Sequence, residues 1–304
     1  MSGTHEPVLQ SVVLEHLRPS PGARVVDGTL GLGGHAAALL SRVRPGGQLI
    51  GLDRDARMLA RAEGRLRELG DGFVTVRARL SYVADVVRGL NLAPVQGILF
   101  DLGLCSAQLD DPERGFSFQA SDAPLDMRMD QSHGQTASEL LEGLEPAELE
   151  RILRAGDVPH PRRVASALLA SRPLRTVGEL RGLLQDLHLP RRRHHFATLV
   201  FQALRMEVNQ ELREVELALE AALDVLAPGG RLAVLSYHSG EDRRVKRFFA
   251  REARGCVCPP SLPACGCGRL PRIRICVRGQ TADPDEVRDN PRARSARLRV
   301  AEML

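Results

Sequence analysis

At 304 residues, with 43% hydrophobic and 26% charged residues, the chain has room for one large domain or two modest ones, and its composition excludes disorder, collagen-like repeats and coiled coil as overall classes. No apolar run approaches the roughly 20 residues of a membrane helix, and positions 1–7 (MSGTHEP) lack the basic and apolar regions of a signal peptide, so the expected setting is the cytoplasm, with no membrane partner. The formal net charge of +4 is uneven: residues 241–304 hold 15 basic and 8 acidic side chains against 27 and 30 elsewhere, which suits either a polyanion-facing surface or a solvated tail.

The first hundred positions alternate strand and helix. Residues 24–30 (RVVDGTL) read as a strand ending in glycines and 35–43 as a helix. A second strand follows at 48–53 (QLIGLD), then a helix over 56–69 with Met58, Leu59, Ala62, Leu66 and Leu69 at helical spacing. Strand 73–79, helix 82–90 and strand 96–102 (QGILFDL) complete the run, which predicts βαβ units and a parallel sheet. The pattern then stops. Residues 105–130 are turn-rich, and 136–189 read as four short helices (137–144, 147–155, 161–170 and 177–187). One long helix is predicted over 196–226, where Phe201, Leu204, Val208, Leu212, Val215, Leu219, Ala222 and Leu226 form a core-facing stripe, with Pro228, Gly229 and Gly230 as its stop. Residues 231–238 (RLAVLSYH) resume the sheet, 241–254 read as a helix, and 272–278 and 296–301 as the last strands. The expected architecture is an α/β sheet domain from 1–110 and 203–304, interrupted by a helical domain at 111–202.

The strongest local signal for chemistry is VVDGTLGLGGHA at 25–36, after strand one and opening a helix. Glycines there let backbone approach a ligand, and the helix N-terminus offers free N–H groups. Gly31, Gly33 and Ala36 fit a dinucleotide fingerprint, and Asp53 at the end of strand two is placed for ribose hydroxyls. Asp27 can pair with the ammonium of an amino-acid-like ligand, which NAD lacks and S-adenosylmethionine has. The two acids favour S-adenosylmethionine, with Asp27 as a cap on the turn the plainer alternative.

Asp101, ending strand four, should face the cofactor and its reaction partner if it is not a cap. Gln108 resists placement. Phe116 and Phe118 beside Arg114 could stack a base and hold a phosphate, or plug an apolar boundary. Asp126, Arg128 and Asp130 read as functional groups or as a salt-bridge knot. His238, beside Ser236 and Tyr237 at a strand end, could be acid, base, base reader or structural; a hydrolase triad is excluded because no G-x-S-x-G elbow is present. Cys256-x-Cys258 and Cys265-x-Cys267 could form a tetrathiolate zinc knot or remain reduced thiols in a loop, and no residue is assigned to a metal.

Nine segments together resemble the bacterial small-subunit rRNA cytosine-N4 methyltransferase family of the MraW/RsmH type. They are 5–9 (HEPVL), 27–35 (DGTLGLGGH), 51–55 (GLDRD), 101–110 (DLGLCSAQLD), 114–118 (RGFSF), 124–130 (PLDMRMD), 201–209 (FQALRMEVN), 236–243 (SYHSGEDR) and 290–299 (NPRARSARLR), in order along nearly the whole chain. The resemblance implies a class I S-adenosylmethionine-dependent methyltransferase (Rossmann-like) sheet with an inserted all-helical domain. It also implies S-adenosyl-L-methionine as donor, 16S rRNA within the small ribosomal subunit as partner, and N4 of the decoding-centre cytosine numbered 1402 as acceptor. The family's cofactor contacts fall on Gly33, Gly34, His35, Asp53, Asp101 and Gln108, with Leu80 standing where the family usually has an aromatic. Cys105 replaces a usual serine, and Tyr237 and Gly240 a usual Phe and Leu. Asp101 is the expected acceptor of an N4 proton, with His238 as alternative or orienter. The target base must be unstacked to reach the pocket, and Arg292, Arg294, Arg297 and Arg299 are a candidate phosphate clamp. An NAD-linked oxidoreductase and a non-catalytic RNA-binding protein are the alternatives, and a homodimer is compatible with the sequence.

Overall fold

Along the strands, Val25, Leu49, Leu99, Ala233 and Leu235 alternate with Val26, Ile50, Ile98, Phe100, Leu232 and Val234, and both sets are buried. A sheet covered on both faces requires such near-continuous apolar strands. The computed structural model describes residues 7–187, 189, 196–254, 256, 258, 259, 262–264 and 266–304. The chain divides into two compact units, 1–103 with 212–304, and 104–211; the second holds the expected 111–202 insert and also residues 104–110 and 203–211, which were expected in the sheet domain.

The first unit begins with α1 (Gln10–Leu17), β1 (Arg24–Asp27), α2 (Gly34–Val43), β2 (Gln48–Asp53), α3 (Ala56–Glu68), β3 (Phe73–Arg77), α4 (Val83–Gly89) and β4 (Val95–Asp101). In the second lie α5 (Ser106–Asp110), α6 (Ala137–Gly143), α7 (Pro146–Ala155), α8 (Pro161–Ala170), α9 (Val177–Asp186) and α10 (Phe196–Val208). Then α11 (Glu211–Leu223), β5 (Leu226–Ser236), α12 (Ser239–Arg254), β6 (Ile273–Gln280), α13 (Pro284–Asp289) and β7 (Arg297–Met303) return to the sheet.

The seven strands run in the order β3-β2-β1-β4-β5-β7-β6. The first five are parallel, while β7 is antiparallel to both β5 and β6. This order with a reversed β7 is the class I methyltransferase sheet expected above. One face packs Val13, Leu17, Leu39, Leu40, Val43 and Leu66 of α1, α2 and α3 against the sheet. The other packs Val83, Val87, Val215, Leu219, Val245 and Phe249 of α4, α11 and α12.

The second unit is helical because its sequence starts and stops helices cleanly. Thr136 with Glu139 and Thr176 with Glu179 form reciprocal capping boxes at the heads of α6 and α9. Proline opens α7 and α8 at positions where a missing N–H costs no hydrogen bond. Leu141, Leu149, Leu153, Val164, Leu168, Leu180, Leu184, Val200 and Leu204 meet in a core of its own.

Two expectations are corrected. The predicted long helix over 196–226 is two helices, α10 and α11, parted at Asn209 and Gln210, with Gln210 left-handed at φ 51°. The apolar spacing runs unbroken across residues 209 and 210 in the sequence and so cannot reveal the break, although Phe201 and Leu204 pack in the core of the second unit and Val215 and Leu219 against the sheet. The buried Asn209 shows why the chain turns there: its amide nitrogen donates to Met127 O and Arg205 O and its oxygen accepts from Met129 N–H. Pro228, Gly229 and Gly230 do not stop a helix; they lie inside β5, where register jumps from Val95↔Leu226 to Gly97↔Arg231 and the intervening residues bulge from the ladder.

Candidate functional site

Strand order reverses between β1 and β4, and in open α/β sheets ligands bind beyond the carboxyl ends of the strands at that point. Three strands end there in acids: Asp27 on β1, Asp53 on β2 and Asp101 on β4. The glycine loop after β1 is tied to its neighbours by backbone: Gly28 N–H donates to Leu99 O and Leu30 N–H to Leu52 O. A Cβ on Gly28 would stand 2.7 Å from Leu80 Cδ1 and from the Phe100 ring, so Leu80, heading the turn after β3, closes directly on the loop. Glu214 of α11 holds that turn, accepting from Ser81 N–H and lying 3.6 Å from Arg79 Nη1.

Each acid is built into this frame. The Asp27 side chain is buried and Oδ1 accepts from Thr29 N–H. Asp53 takes Gly31 N–H on Oδ2 and Asp55 N–H on Oδ1, both at 2.8 Å. Asp101 N–H donates to Thr29 Oγ1, and its Oδ1 accepts from the Tyr237 hydroxyl at 2.7 Å. Burial pushes all three carboxyls up, Asp27 and Asp101 to about 7 and Asp53 to about 6; backbone donors oppose it at Asp27 and Asp53, as the Tyr237 hydroxyl does at Asp101. Asp27 is raised further by the neighbouring charges of Asp101 and Asp53, and Asp101 by that of Glu241. Desolvated carboxylates sharing one end of a sheet favour a cationic ligand.

Helix α2 starts beside them. Gly33 is its N-cap at φ 74°, a left-handed conformation that favours glycine, and no side chain caps the helix. Its first N–H groups are therefore open to a ligand anion. A Cβ on Gly34 would meet Pro7 Cγ at 2.5 Å, so the loop is held close from behind. His35 is buried, hydrogen-bonded to the Val8 backbone, and lowered to about 4 by desolvation, hence neutral. Its Nε2 has no hydrogen-bond partner and lies 3.6 Å from Asp101 Oδ2.

His238 follows β5. Its Nδ1 accepts from Gly240 N–H at 3.2 Å and Glu241 N–H at 3.4 Å, at the head of α12. Nδ1 thus caps the head of α12, which puts the ring proton on Nε2; that buried nitrogen lies 3.1 Å from Glu241 Oε1 without a hydrogen-bond partner. Buried Glu241 also accepts from Tyr237 N–H. The structure thus brings together Asp27, Gly33, Gly34, His35, Asp53, Leu80 and Asp101, and adds Thr29 and Tyr237, which sequence reasoning did not assign. Tyr237 was visible only as a neighbour of His238; nothing in the spacing says that its hydroxyl reaches β4.

Gln108 belongs to the other unit, buried in α5, where its Oε1 accepts from Cys105 N–H. Arg114 is not a phosphate ligand: it is 1% exposed and donates through Nη2 to Met129 O and Arg128 O, with its guanidinium 5.7 Å from the Phe116 ring. Phe116, Phe118 and Phe201 line a cleft of about 360 Å³ with Leu104, Leu109 and Met127, and the Phe118 and Phe201 rings stand 4.0 Å apart. Asp126 and Arg128 are the salt-bridge knot, joined through Nε and Nη2 at 2.8 and 2.9 Å, which holds the Asp126 carboxyl below its usual range despite burial. Asp130 instead caps the turn at Ser132. In the C-terminal tail, Arg299 drops out of the phosphate clamp because it is buried in β7 and bidentate to Asp242; Arg292, Arg294 and Arg297 remain exposed.

The chain matches the MraW methylase family over residues 2–304. It is 46% identical to the ribosomal RNA small subunit methyltransferase H of Syntrophotalea carbinolica, over 99% of this chain and 98% of that one. Identity is also 46% to the protein of that name from Geobacter sulfurreducens, with both chains covered completely. Among solved structures, an rRNA methylase from Streptococcus thermophilus aligns over 97% of this chain and 93% of its own at 13% identity, with a TM-score of 0.43. Family membership rests on the sequence matches, and the fold on the strand order. An end-to-end match, together with a reversed-β7 sheet carrying acids on β1, β2 and β4, makes this chain a member of the MraW methylase family.

Proposed function

We propose that the protein transfers a methyl group from S-adenosylmethionine to N4 of the decoding-centre cytosine in 16S rRNA of the small ribosomal subunit, in the cytoplasm. The observation that carries the reading is the trio Asp27, Asp53 and Asp101 around an uncapped helix N-terminus. The donor set fits the cofactor. Asp27 would take its ammonium, the α2 amides its carboxylate, and Asp53 its ribose hydroxyls, while the partnerless His35 Nε2 is a buried polar atom awaiting a contact. When bound, S-adenosylmethionine supplies a methyl carbon already activated by a sulfonium.

What remains is alignment and one proton. Cytosine N4 has a delocalised lone pair, and drawing off one of its protons localises that pair for attack. Asp101 is the acceptor: Oδ1 is engaged by Tyr237, leaving Oδ2 for the N4 proton, and a carboxyl near 7 is matched to a base working at neutral pH. His238 supports the site by capping α12. The exposed Arg292, Arg294 and Arg297 are the phosphate contacts of this reading. Family membership removes the NAD-linked alternative, and the helices of the described residues include none long and apolar enough to cross a membrane.

The test is tritium transfer from labelled S-adenosylmethionine to unmethylated small subunits, followed by digestion to locate the label. Label on N4 of that cytosine, lost in Asp101→Ala, is the expected result. Label at another base would overturn the substrate assignment, and absence of cofactor binding by calorimetry would overturn the donor.

A further inference from the structure

Between α12 and β6, residues 255–272 contain no helix or strand among those described, and none of the described ones is buried. Leu262 and Leu270 are 51% and 78% exposed, so neither leucine anchors the segment by apolar burial. Long structureless connections are uncommon in compact domains unless something else orders them. Its two ends are tied. Glu252, fully buried near the end of α12, takes Arg269 Nη2 on both oxygens at 2.6 Å, and Arg272 N–H donates to Glu252 O.

Between the ties, three thiols converge. The sulfurs of Cys256, Cys258 and Cys267 all lie within 4.8 Å of one another, although they come from opposite ends of the segment. Cys256 Sγ and Cys267 Sγ stand 3.9 Å apart. That is nearly twice the ~2.05 Å of a disulfide. It matches the edge of a tetrahedral thiolate site, where bonds of about 2.3 Å to zinc put neighbouring sulfurs about 3.8 Å apart.

We propose that Cys256, Cys258 and Cys267 form a structural zinc site that orders the 255–272 segment. The chemistry is specific in class: three soft thiolates select zinc over magnesium or calcium, which take oxygen donors. The fourth donor is a further thiolate or a water. Cys265, with the spacing for it in the sequence, lies outside the described residues. Arg269 and Arg272, both paired with Glu252, follow the last of the thiols, so metal and ion pairs together would tie this segment back to α12. This inference does not depend on the methyl-transfer reading, because its readout is metal content.

The full chain, purified under reducing conditions without chelator, should contain about one zinc per chain by mass spectrometry. Cys256→Ser and Cys267→Ser should each lose it, while Cys276→Ser, altering an exposed thiol on β6, should keep it. Cobalt added to the metal-stripped wild-type chain should give a thiolate charge-transfer band and the intense visible bands of tetrahedral coordination, which needs no variant to fold. Weakening of the charge-transfer band in Cys265→Ser assigns the fourth thiolate, and an unchanged band assigns water. Failure of the reduced wild-type chain to take up zinc or cobalt, a Cys256–Cys267 disulfide in its place, or zinc retained in both serine variants would overturn the proposal.

Discussion

Replacing Tyr237 by phenylalanine removes one hydroxyl and keeps the ring. In the structure that hydroxyl donates to Asp101 Oδ1 at 2.7 Å, and the bond is the largest influence opposing the rise of the Asp101 carboxyl to about 7. A hydrogen bond to a charged group contributes roughly 1.5–3 kcal/mol, and at about 1.4 kcal/mol per pH unit its loss moves Asp101 up by roughly one to two units. At pH 7 the ionised fraction would then fall from about one half to between roughly one tenth and one hundredth, a rate loss of about 5- to 50-fold. The assay is kcat/KM for methyl transfer to small subunits at saturating S-adenosylmethionine between pH 5.5 and 9.5. Bound cofactor cations lower the acid limb in both proteins, so the comparison is the displacement between them. The variant's acid limb should lie one to two units higher, and the rates should converge at high pH. A uniform rate loss across the range, or coincident acid limbs, would refute Asp101 as the titrating base and leave Tyr237 a packing residue.

Asp27→Asn should weaken S-adenosylmethionine binding at least about tenfold by calorimetry, since the ammonium loses its charged partner. It should also steady the ligand-free protein. The folded-state carboxyl is raised from 3.8 to about 7, so its contribution is present at low pH and is lost as pH rises toward 7, about 2 kcal/mol between pH 5 and 7. The melting advantage of Asp27→Asn over wild type should therefore be larger at pH 8 than at pH 5. Cofactor affinity of the wild type should fall by about tenfold from pH 8 to pH 6 for each carboxyl titrating near 7, because the cation binds the ionised form. Asn209→Ala orphans Met127 O and Met129 N–H together in the core of the second unit and should cost about 3 kcal/mol, read as a lower urea midpoint with hydrogen exchange rising first in 104–211.

What could be read from the chain was whatever is local. Strand β1, the glycine loop and α2 occupy adjacent positions, so composition, period and turn residues all report on the same stretch, which is why Asp27, Gly33, Gly34 and His35 could be placed at the end of β1 and the head of α2. Asp53 and Asp101 were reachable because each ends an apolar strand, and a parallel sheet carries strand ends to one edge. The rest depends on pairings that no spacing encodes. Tyr237 meets Asp101 only because β5 lies beside β4, 136 positions away in sequence. Arg114 and Arg299 look like surface phosphate ligands by residue type, yet one satisfies backbone carbonyls in a core and the other a carboxylate on α12. The break at Asn209 hid because the apolar spacing runs on through it in the sequence, although the two halves of that stripe pack in different cores.

Three raised carboxyls at one sheet edge are a cost the ligand-free fold carries, and their placement shows what offsets it. In the proposed reaction Asp27 and Asp53 would hold the cofactor without changing charge, and so would act on affinity. Asp101 differs. In the proposed reaction its carboxylate gains the N4 proton in the same event that converts the cationic sulfur to a neutral thioether, so buried positive and negative charge disappear together and no unpaired ion is left behind. A carboxyl held near its usual value would resist that proton, and one raised much above 7 would be neutral before the reaction began. The opposition of burial by a single hydroxyl from Tyr237 keeps Asp101 between those limits. For that reason a chain with tyrosine beside His238 should show a lower acid limb than one carrying phenylalanine at the same place, even where both bind the cofactor equally well.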